Sequence, residues 1–224
     1  MSIPLVEVFK SIQGEGLFTG VPSVFVRTYG CNLSCSFCDT KYSWAGSAYK
    51  NVSQVQLSAM ILTLASPGNI IVFTGGEPML WQEPLLPVLE RLKALNVPIH
   101  FETNGTLFPL PEVGKLVSEW VVSPKRWDDR QDIATVNGWV EMFYKKTTLK
   151  FVIATEEDVE IISENFDLDT ARHVVLQPER YTAEADYMGH MKKMIEWADK
   201  HLIGVKWRVL PQLHYLLWGN RTGI

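Results

Sequence analysis

Short runs of β-branched and aromatic residues alternate along this chain with stretches whose apolar residues recur every three to four positions. The first pattern predicts strands at Ser23–Thr28, Asn69–Thr74, Pro98–Glu102, Trp120–Val122, Leu149–Ala154, His173–Leu176 and Val205–Leu210. The second predicts helices at Ser53–Leu64, Glu83–Leu95, Glu156–Asn165 and Ala183–His201, with Ser53 as a cap. Strands separated by helices make βα units on a largely parallel sheet. Roughly six such units are too few for the closed eight-stranded barrel, which typically needs about 250 residues. The expected fold is therefore α/β, an incomplete β/α barrel of mainly parallel strands, in one domain over residues 1–224. Lys125–Thr147 breaks the pattern, and its charged run Arg126-Trp127-Asp128-Asp129-Arg130 reads as a loop or insertion.

Composition narrows the class. At 46% hydrophobic and 21% charged, the chain suits one sizeable core. A formal charge of −4 argues against non-specific nucleic-acid binding. No apolar run approaches a membrane span, so no membrane partner is expected. The start, Met1 to Phe9, carries Pro4 and Glu7 and no long apolar stretch, so it does not read as a signal peptide and the expected compartment is cytoplasmic.

The only cysteines are Cys31, Cys35 and Cys38, spaced Cys-x3-Cys-x2-Cys directly after a predicted strand. Thiols so close can turn toward one centre. A 4Fe–4S cubane usually takes four thiolates, whereas this chain supplies three, which would leave one iron open to a ligand that is not protein. A zinc site would need a fourth ligand, and none of the five histidines lies near the triplet in sequence, although a distant one could complete a site in space. An odd number of cysteines in a chain of this length does not suit a disulfide framework.

The other polar signals also follow predicted strands. They are Gly75-Gly76-Glu77-Pro78, Thr103-Asn104-Gly105-Thr106, Ser123-Pro124-Lys125 and Gln177-Pro178. Each alone is an ordinary turn. With the cysteine loop they make five tips at successive strand ends, which points to one shared site on one rim.

The cysteine spacing, Phe37 before the last cysteine, and the downstream Gly75-Gly76-Glu77-Pro78 resemble the radical S-adenosylmethionine superfamily. That resemblance implies a 4Fe–4S cluster whose open iron binds the amino and carboxylate groups of S-adenosyl-L-methionine, and reductive cleavage to a 5′-deoxyadenosyl radical. Longer stretches are similar to the 7-carboxy-7-deazaguanine synthase family. They are Phe9-Lys10-Ser11-Ile12-Gln13-Gly14-Glu15-Gly16, Gly20-Val21-Pro22, Arg27, Cys38-Asp39-Thr40, Glu102 to Thr106, Ser123 to Lys125, Arg208 to His214, and Leu217-Trp218-Gly219-Asn220. This resemblance implies a lyase that contracts the ring of 6-carboxy-5,6,7,8-tetrahydropterin, with loss of ammonia, on the way to 7-deazapurines such as queuosine. It also implies a partial barrel of the radical SAM type with short terminal substrate-binding extensions, a homodimer, Mg2+ beside the substrate, and an external one-electron reductant such as flavodoxin or ferredoxin.

Residue roles are implied the same way. Ile12, Gln13, Gly14, Glu15, Arg27, Thr74 and His214 would meet the pterin, and Thr40 would ligate magnesium. Phe37, Cys38, Asp39, Gly76, Ser123, Pro124, Lys125 and Gln177 would hold S-adenosylmethionine. No side chain is assigned as a general acid or base. A glycyl-radical-enzyme activating enzyme shares the cysteine spacing, but Gln13-Gly14-Glu15-Gly16 and Thr40 favour the synthase. A non-catalytic iron–sulfur or zinc scaffold would leave the strand-end motifs idle.

Overall fold

The computed structural model describes residues 2–125, 127, 130–183, 185–219 and 221–223. Its strands are β1 (Ser2–Ile12), β2 (Pro22–Thr28), β3 (Lys50–Ser53), β4 (Ile70–Gly75), β5 (Ile99–Thr103), β6 (Glu119–Val122), β7 (Thr147–Ile153), β8 (His173–Pro178) and β9 (Trp207–Val209). Its helices are α1 (Gln54–Leu64), α2 (Gln82–Ala94), α3 (Pro111–Leu116), α4 (Arg130–Phe143), α5 (Glu156–Asn165), α6 (Arg180–Ala183), α7 (Tyr187–His201) and α8 (Leu213–Trp218). The strands form one open sheet in the order β3-β1-β2-β4-β5-β6-β7-β8-β9. From β2 through β9 every neighbouring pair is parallel, whereas β1 runs antiparallel to both β2 and β3. All the parallel strands therefore end on one edge, as expected.

The two faces of the sheet separate by the period of two that a pleated strand imposes. Ile71 and Phe73 of β4, Phe101 of β5, Trp120 of β6 and Phe151 of β7 pack into the main core with helix residues such as Leu57, Leu89 and Ile162. On the opposite face, Phe25 and Val72 make a smaller cluster with Ile70, sealed by Phe9, Phe18 and Val21. Beyond that plug the same face turns polar, with Arg27, Thr74, Glu102, Lys150 and Gln177 at alternating positions of five strands. Burial on both faces explains why β4 reads as an unbroken apolar run rather than an alternating one.

Local signals hold where the sequence stated them. Ser53 caps α1 in a reciprocal box with Gln56, and Thr155 does the same for α5 with Asp158. Four expectations change. Residues 2–12, assigned no element, form the eleven-residue β1, in which Pro4 lies opposite Asn51 of the edge strand β3, next to a bulge between Leu5 and Glu7. Most of the presumed loop Lys125–Thr147 is α4, which buries Val136, Trp139 and Val140. The Arg126, Asp128 and Asp129 of its charged run lie outside the described residues. The helix expected at Ala183–His201 begins only at Tyr187, where the Asp186 carboxylate accepts from Gly189 N–H at 2.9 Å. The strand expected at Val205–Leu210 shortens to β9.

Gly105, in the turn after β5, shows how tightly this rim is packed against α4. Its φ is +79°, and a Cβ there would lie 2.6 Å from Val122 Cγ1 and 3.1 Å from Val136 Cγ2. Gly105→Ala combines left-handed strain with overpacking and should destabilise the protein by about 1–3 kcal/mol in urea unfolding.

Candidate active site

The five strand-end tips converge on one cavity of about 270 Å3. Its cysteine loop is bolted to the neighbouring tip. Gly30 N–H donates to Ser43 C=O at 2.9 Å, Glu77 N–H to Gly30 C=O at 2.8 Å, and Gly76 N–H to Thr28 C=O at 3.3 Å. Gly75 takes φ +137°, and a side chain on it would meet the Thr28 backbone. One on Gly76 would meet Gly30 C=O and Cys31. The Gly75-Gly76 pair is thus required by the close approach of two backbones.

None of the three cysteines is in a disulfide, and all are partly exposed and open to the cavity. Two sulfurs face N–H donors: Leu33 N lies 3.4 Å from Cys31 Sγ and Trp44 Nε1 lies 3.3 Å from Cys38 Sγ. Among the described residues no group of three His, Cys, Asp or Glu is placed to hold a single metal ion. A cubane makes a different demand, since its three thiolates bind three different irons around a shared space. Three reduced cysteines on one cavity wall, N–H groups aimed at sulfur and the glycine cradle beside them fit such a cluster. Gln177 and Gln212 also leave their Oε1 atoms buried without a protein partner, and both side chains line the cavity, where a bound cofactor's N–H or O–H would satisfy them.

Glu77 clamps two tips together. It is fully buried and accepts from Met79 N–H at 3.0 Å, Asn104 N–H at 2.7 Å and the Thr103 hydroxyl at 2.8 Å. Burial pushes its carboxyl up to about 7, even against those three donors. Asn104 donates to Asn32 Oδ1 at 2.9 Å, so the same turn also braces the cysteine loop.

The opposite wall is a polar network built from distant segments. Glu102 accepts from Gln13 Nε2 at 3.0 Å and from the Thr74 hydroxyl at 2.9 Å. Glu15 pairs with the buried Lys150 of β7 and accepts from Gln212 Nε2 at 2.7 Å. Burial alone would raise the Glu15 carboxyl. The charges of Lys150 and His214 and the bonds from Lys150 and Gln212 outweigh it and hold that carboxyl far below the usual range. Burial likewise disfavours the Lys150 ammonium, but Glu15 and Glu102 reverse that and raise it. Lys125 is pushed down by burial and by Lys150, and donates to Ser123 Oγ at 2.8 Å. The tail closes the wall, with Leu213 N–H on Gly14 C=O at 2.8 Å and the His214 ring against Gly14, where any Cβ would collide with it.

Of the residues singled out from sequence, Ile12, Gln13, Gly14, Glu15, Arg27, Phe37, Asp39, Thr40, Thr74, Gly76, Ser123, Lys125, Gln177, His214 and the three cysteines all line this cavity. Pro124 does not. It is buried beneath the rim, and its carbonyl accepts from Trp127 Nε1 at 3.3 Å. Asn220 of the tail motif lies outside the described residues. Arg27 is not free for a ligand on every side. Its Nε donates to Glu7 Oε1 at 2.8 Å, the same oxygen that takes the Tyr42 hydroxyl at 3.0 Å. Sequence reasoning passed over Glu7, Tyr42, Trp44, Lys150 and Gln212 as site residues. Lys150 carried a signal, a charge inside an otherwise apolar strand, and Gln212 stood within the tail run Arg208 to His214.

Residues 25–124 match the Radical SAM superfamily. The chain is 35% identical to the 7-carboxy-7-deazaguanine synthase of Pyrobaculum aerophilum, over 99% of this chain and 97% of that one. It is 37% identical to the synthase of Hyperthermus butylicus, over 95% and 92% respectively. The crystal structure of QueE from Escherichia coli superposes with a TM-score of 0.71 at 26% identity, covering 96% of this chain and 95% of that one. SuiB of Streptococcus suis shares the fold alone, with a TM-score of 0.59 at 13% identity over 83% of this chain and 47% of that one.

The Glu15–Lys150 pair makes a testable demand on stability. Lys150→Met leaves a largely buried carboxylate unpaired and should cost about 3–5 kcal/mol in urea unfolding near neutral pH. The paired Glu15 carboxyl sits below its unfolded value, so the pair's contribution is present above that unfolded value and lost as pH falls through the folded one. The cost of Lys150→Met should accordingly shrink toward acid pH, and adding Glu15→Gln should recover much of it at neutral pH.

Proposed function

The chain belongs to the 7-carboxy-7-deazaguanine synthase family, and on that premise we propose that its cavity holds 6-carboxy-5,6,7,8-tetrahydropterin beside S-adenosylmethionine for conversion to 7-carboxy-7-deazaguanine with loss of ammonia. The observation that carries the reading is the meeting, in one cavity, of the cysteine loop, the glycine cradle and the Gln13–Glu102–Thr74 network. A 4Fe–4S cluster with S-adenosylmethionine supplies, when bound, a one-electron cleavage that yields a carbon-centred radical.

What the protein contributes is placement. Cys31, Cys35 and Cys38 would hold three irons, and Gly76, Ser123, Lys125 and Gln177 would take the cofactor on the adjoining rim. Phe37 and Asp39 would border its nucleoside. Across the cavity, Glu102 presents a carboxylate already oriented by Gln13 and Thr74, an acceptor suited to the N–H edge of a pterin. Glu7 fixes Arg27 through Nε, while Phe9 and Tyr42 flank its guanidinium at 5.9 and 5.6 Å from their ring centroids. The terminal nitrogens are then the part of the fork that would pair with the substrate carboxylate, and magnesium at the Thr40 hydroxyl would share that charge. The Ile12–Glu15 loop and the His214 tail act as the short terminal extensions that shut water out. Homodimer assembly and electron delivery by a flavodoxin or ferredoxin belong to the same reading. Among the described residues no helix is long and apolar enough to cross a membrane.

The test is anaerobic turnover with dithionite, S-adenosylmethionine and the carboxytetrahydropterin, read by mass spectrometry. The deazapurine carboxylate is expected. Its absence from protein that carries the cluster and cleaves S-adenosylmethionine would overturn the substrate, and a glycyl-radical enzyme serves as the alternative substrate in a parallel reaction. Arg27→Ala should weaken pterin binding about ten- to a few hundred-fold while uncoupled cleavage of S-adenosylmethionine survives. Thr40→Ala should leave iron content unchanged and blunt the response of turnover to added magnesium; an unaltered magnesium titration removes Thr40 from the metal shell.

A further inference from the structure

We infer that Trp44 tunes the reduction potential of the cluster, by donating its indole N–H to the sulfur of Cys38. The inference rests on the cluster reading above and concerns a residue that neither the motif nor the substrate wall requires.

The geometry is specific. Trp44 Nε1 lies 3.3 Å from Cys38 Sγ, and the indole is half-buried on the cavity wall. An indole nitrogen can only donate, so the contact has one polarity. The N–H···S contact of Leu33 to Cys31 comes from backbone and would survive any side-chain change. The Thr40 hydroxyl stands 3.7 Å from the same Cys38 sulfur, farther away and able to turn elsewhere. Trp44 therefore supplies the directed side-chain donor.

Its position is held from behind. The 3-10 turn Lys41–Ser43 precedes it, and Trp44 N–H donates to Lys41 C=O at 3.1 Å. Ser43 is fully buried, its hydroxyl donates to Thr40 C=O at 2.7 Å, and its carbonyl takes Gly30 N–H at the end of β2. The backbone that carries the indole is thus fastened next to the strand that launches the cysteine loop.

Hydrogen bonds to cluster sulfurs are one of the protein's levers on potential. Reduction adds negative charge that spreads onto the thiolate sulfurs, so a donor at Cys38 stabilises the reduced state more than the oxidised one. Removing that donor should make the cluster harder to reduce. The half-buried ring also keeps water off that side of the sulfur, and a phenyl ring would retain part of this shielding without the N–H.

The experiment compares reconstituted wild-type protein with Trp44→Phe and with site-specific β-(3-benzothienyl)alanine at position 44, which keeps the bicyclic shape and lacks the donor. Iron content is measured first, then the midpoint potential by a redox titration followed by electron paramagnetic resonance. The expected result is unchanged iron with a midpoint moved to more negative potential in both variants. Slower uncoupled S-adenosylmethionine cleavage with a weak reductant, recovered with excess dithionite, should accompany it. An unmoved midpoint in the benzothienylalanine protein overturns the inference, and that variant decides the matter if Trp44→Phe loses iron. Wild-type protein that takes up no iron overturns the cluster reading itself, a result distinct from an assembled cluster indifferent to Trp44.

Discussion

The buried pair between Glu15 and Lys150 is the constraint on which the rest of the site depends. Glu15 lies just beyond the end of β1, near one edge of the sheet, and Lys150 lies on β7, five strands away in the sheet order. To meet, the β1–β2 loop must cross the polar face of the sheet. That crossing sets Phe18 edge-on against His100, at 4.4 Å between ring centroids, and brings Gln13 to Glu102. Gln212 from the tail then joins the same carboxylate. A buried ion pair is weak evidence of net stability, since desolvation offsets most of the attraction. Its value here is conformational: a shifted loop would leave two buried charges unmatched.

The second organising fact is the direction of the strands. Because β2 and β4 to β9 are all parallel, their carboxyl ends share an edge, and every tip that follows one faces the same space. The close contact of Gly76 with Gly30 and Cys31 then brings the cysteine loop and glycine motif together, and Glu77 joins the glycine motif to the turn after β5. The polar wall and the cysteine-loop wall thus hang on different parts of the fold. The first depends on charge pairing across the sheet, the second on backbone packing at strand ends.

Arg27 illustrates how the two walls meet. The family resemblance placed Arg27 at the substrate carboxylate. In the fold one side of its guanidinium is held by Glu7, and that oxygen is itself held by Tyr42 from beyond the cysteine loop. Pre-orienting the fork in this way lowers the ordering cost when an anion binds. It also links the position of Arg27, through Glu7 and Tyr42, to the turn that follows the cysteine loop.

Local patterns determined much of this protein. The βα alternation, the capping residue of α1, the cysteine spacing and the five strand-end tips were all legible, because each depends on residues within a few positions of one another. What failed locally was weakly patterned: β1 hid behind Pro4 and a bulge, and α4 behind a charged run. The partners of Glu15, Arg27 and Cys38 were not legible, and neither was the use of Gln212 and Trp44. Those contacts join residues from 6 to 197 positions apart, and only the packed chain decides which polar atoms end up within 3.5 Å. Sequence therefore determined which chemistry the chain can carry, whereas the tertiary structure decided which side chains orient it. Hydrogen bonds and ion pairs act over a few ångströms, and those distances exist only once the loops have folded over the sheet.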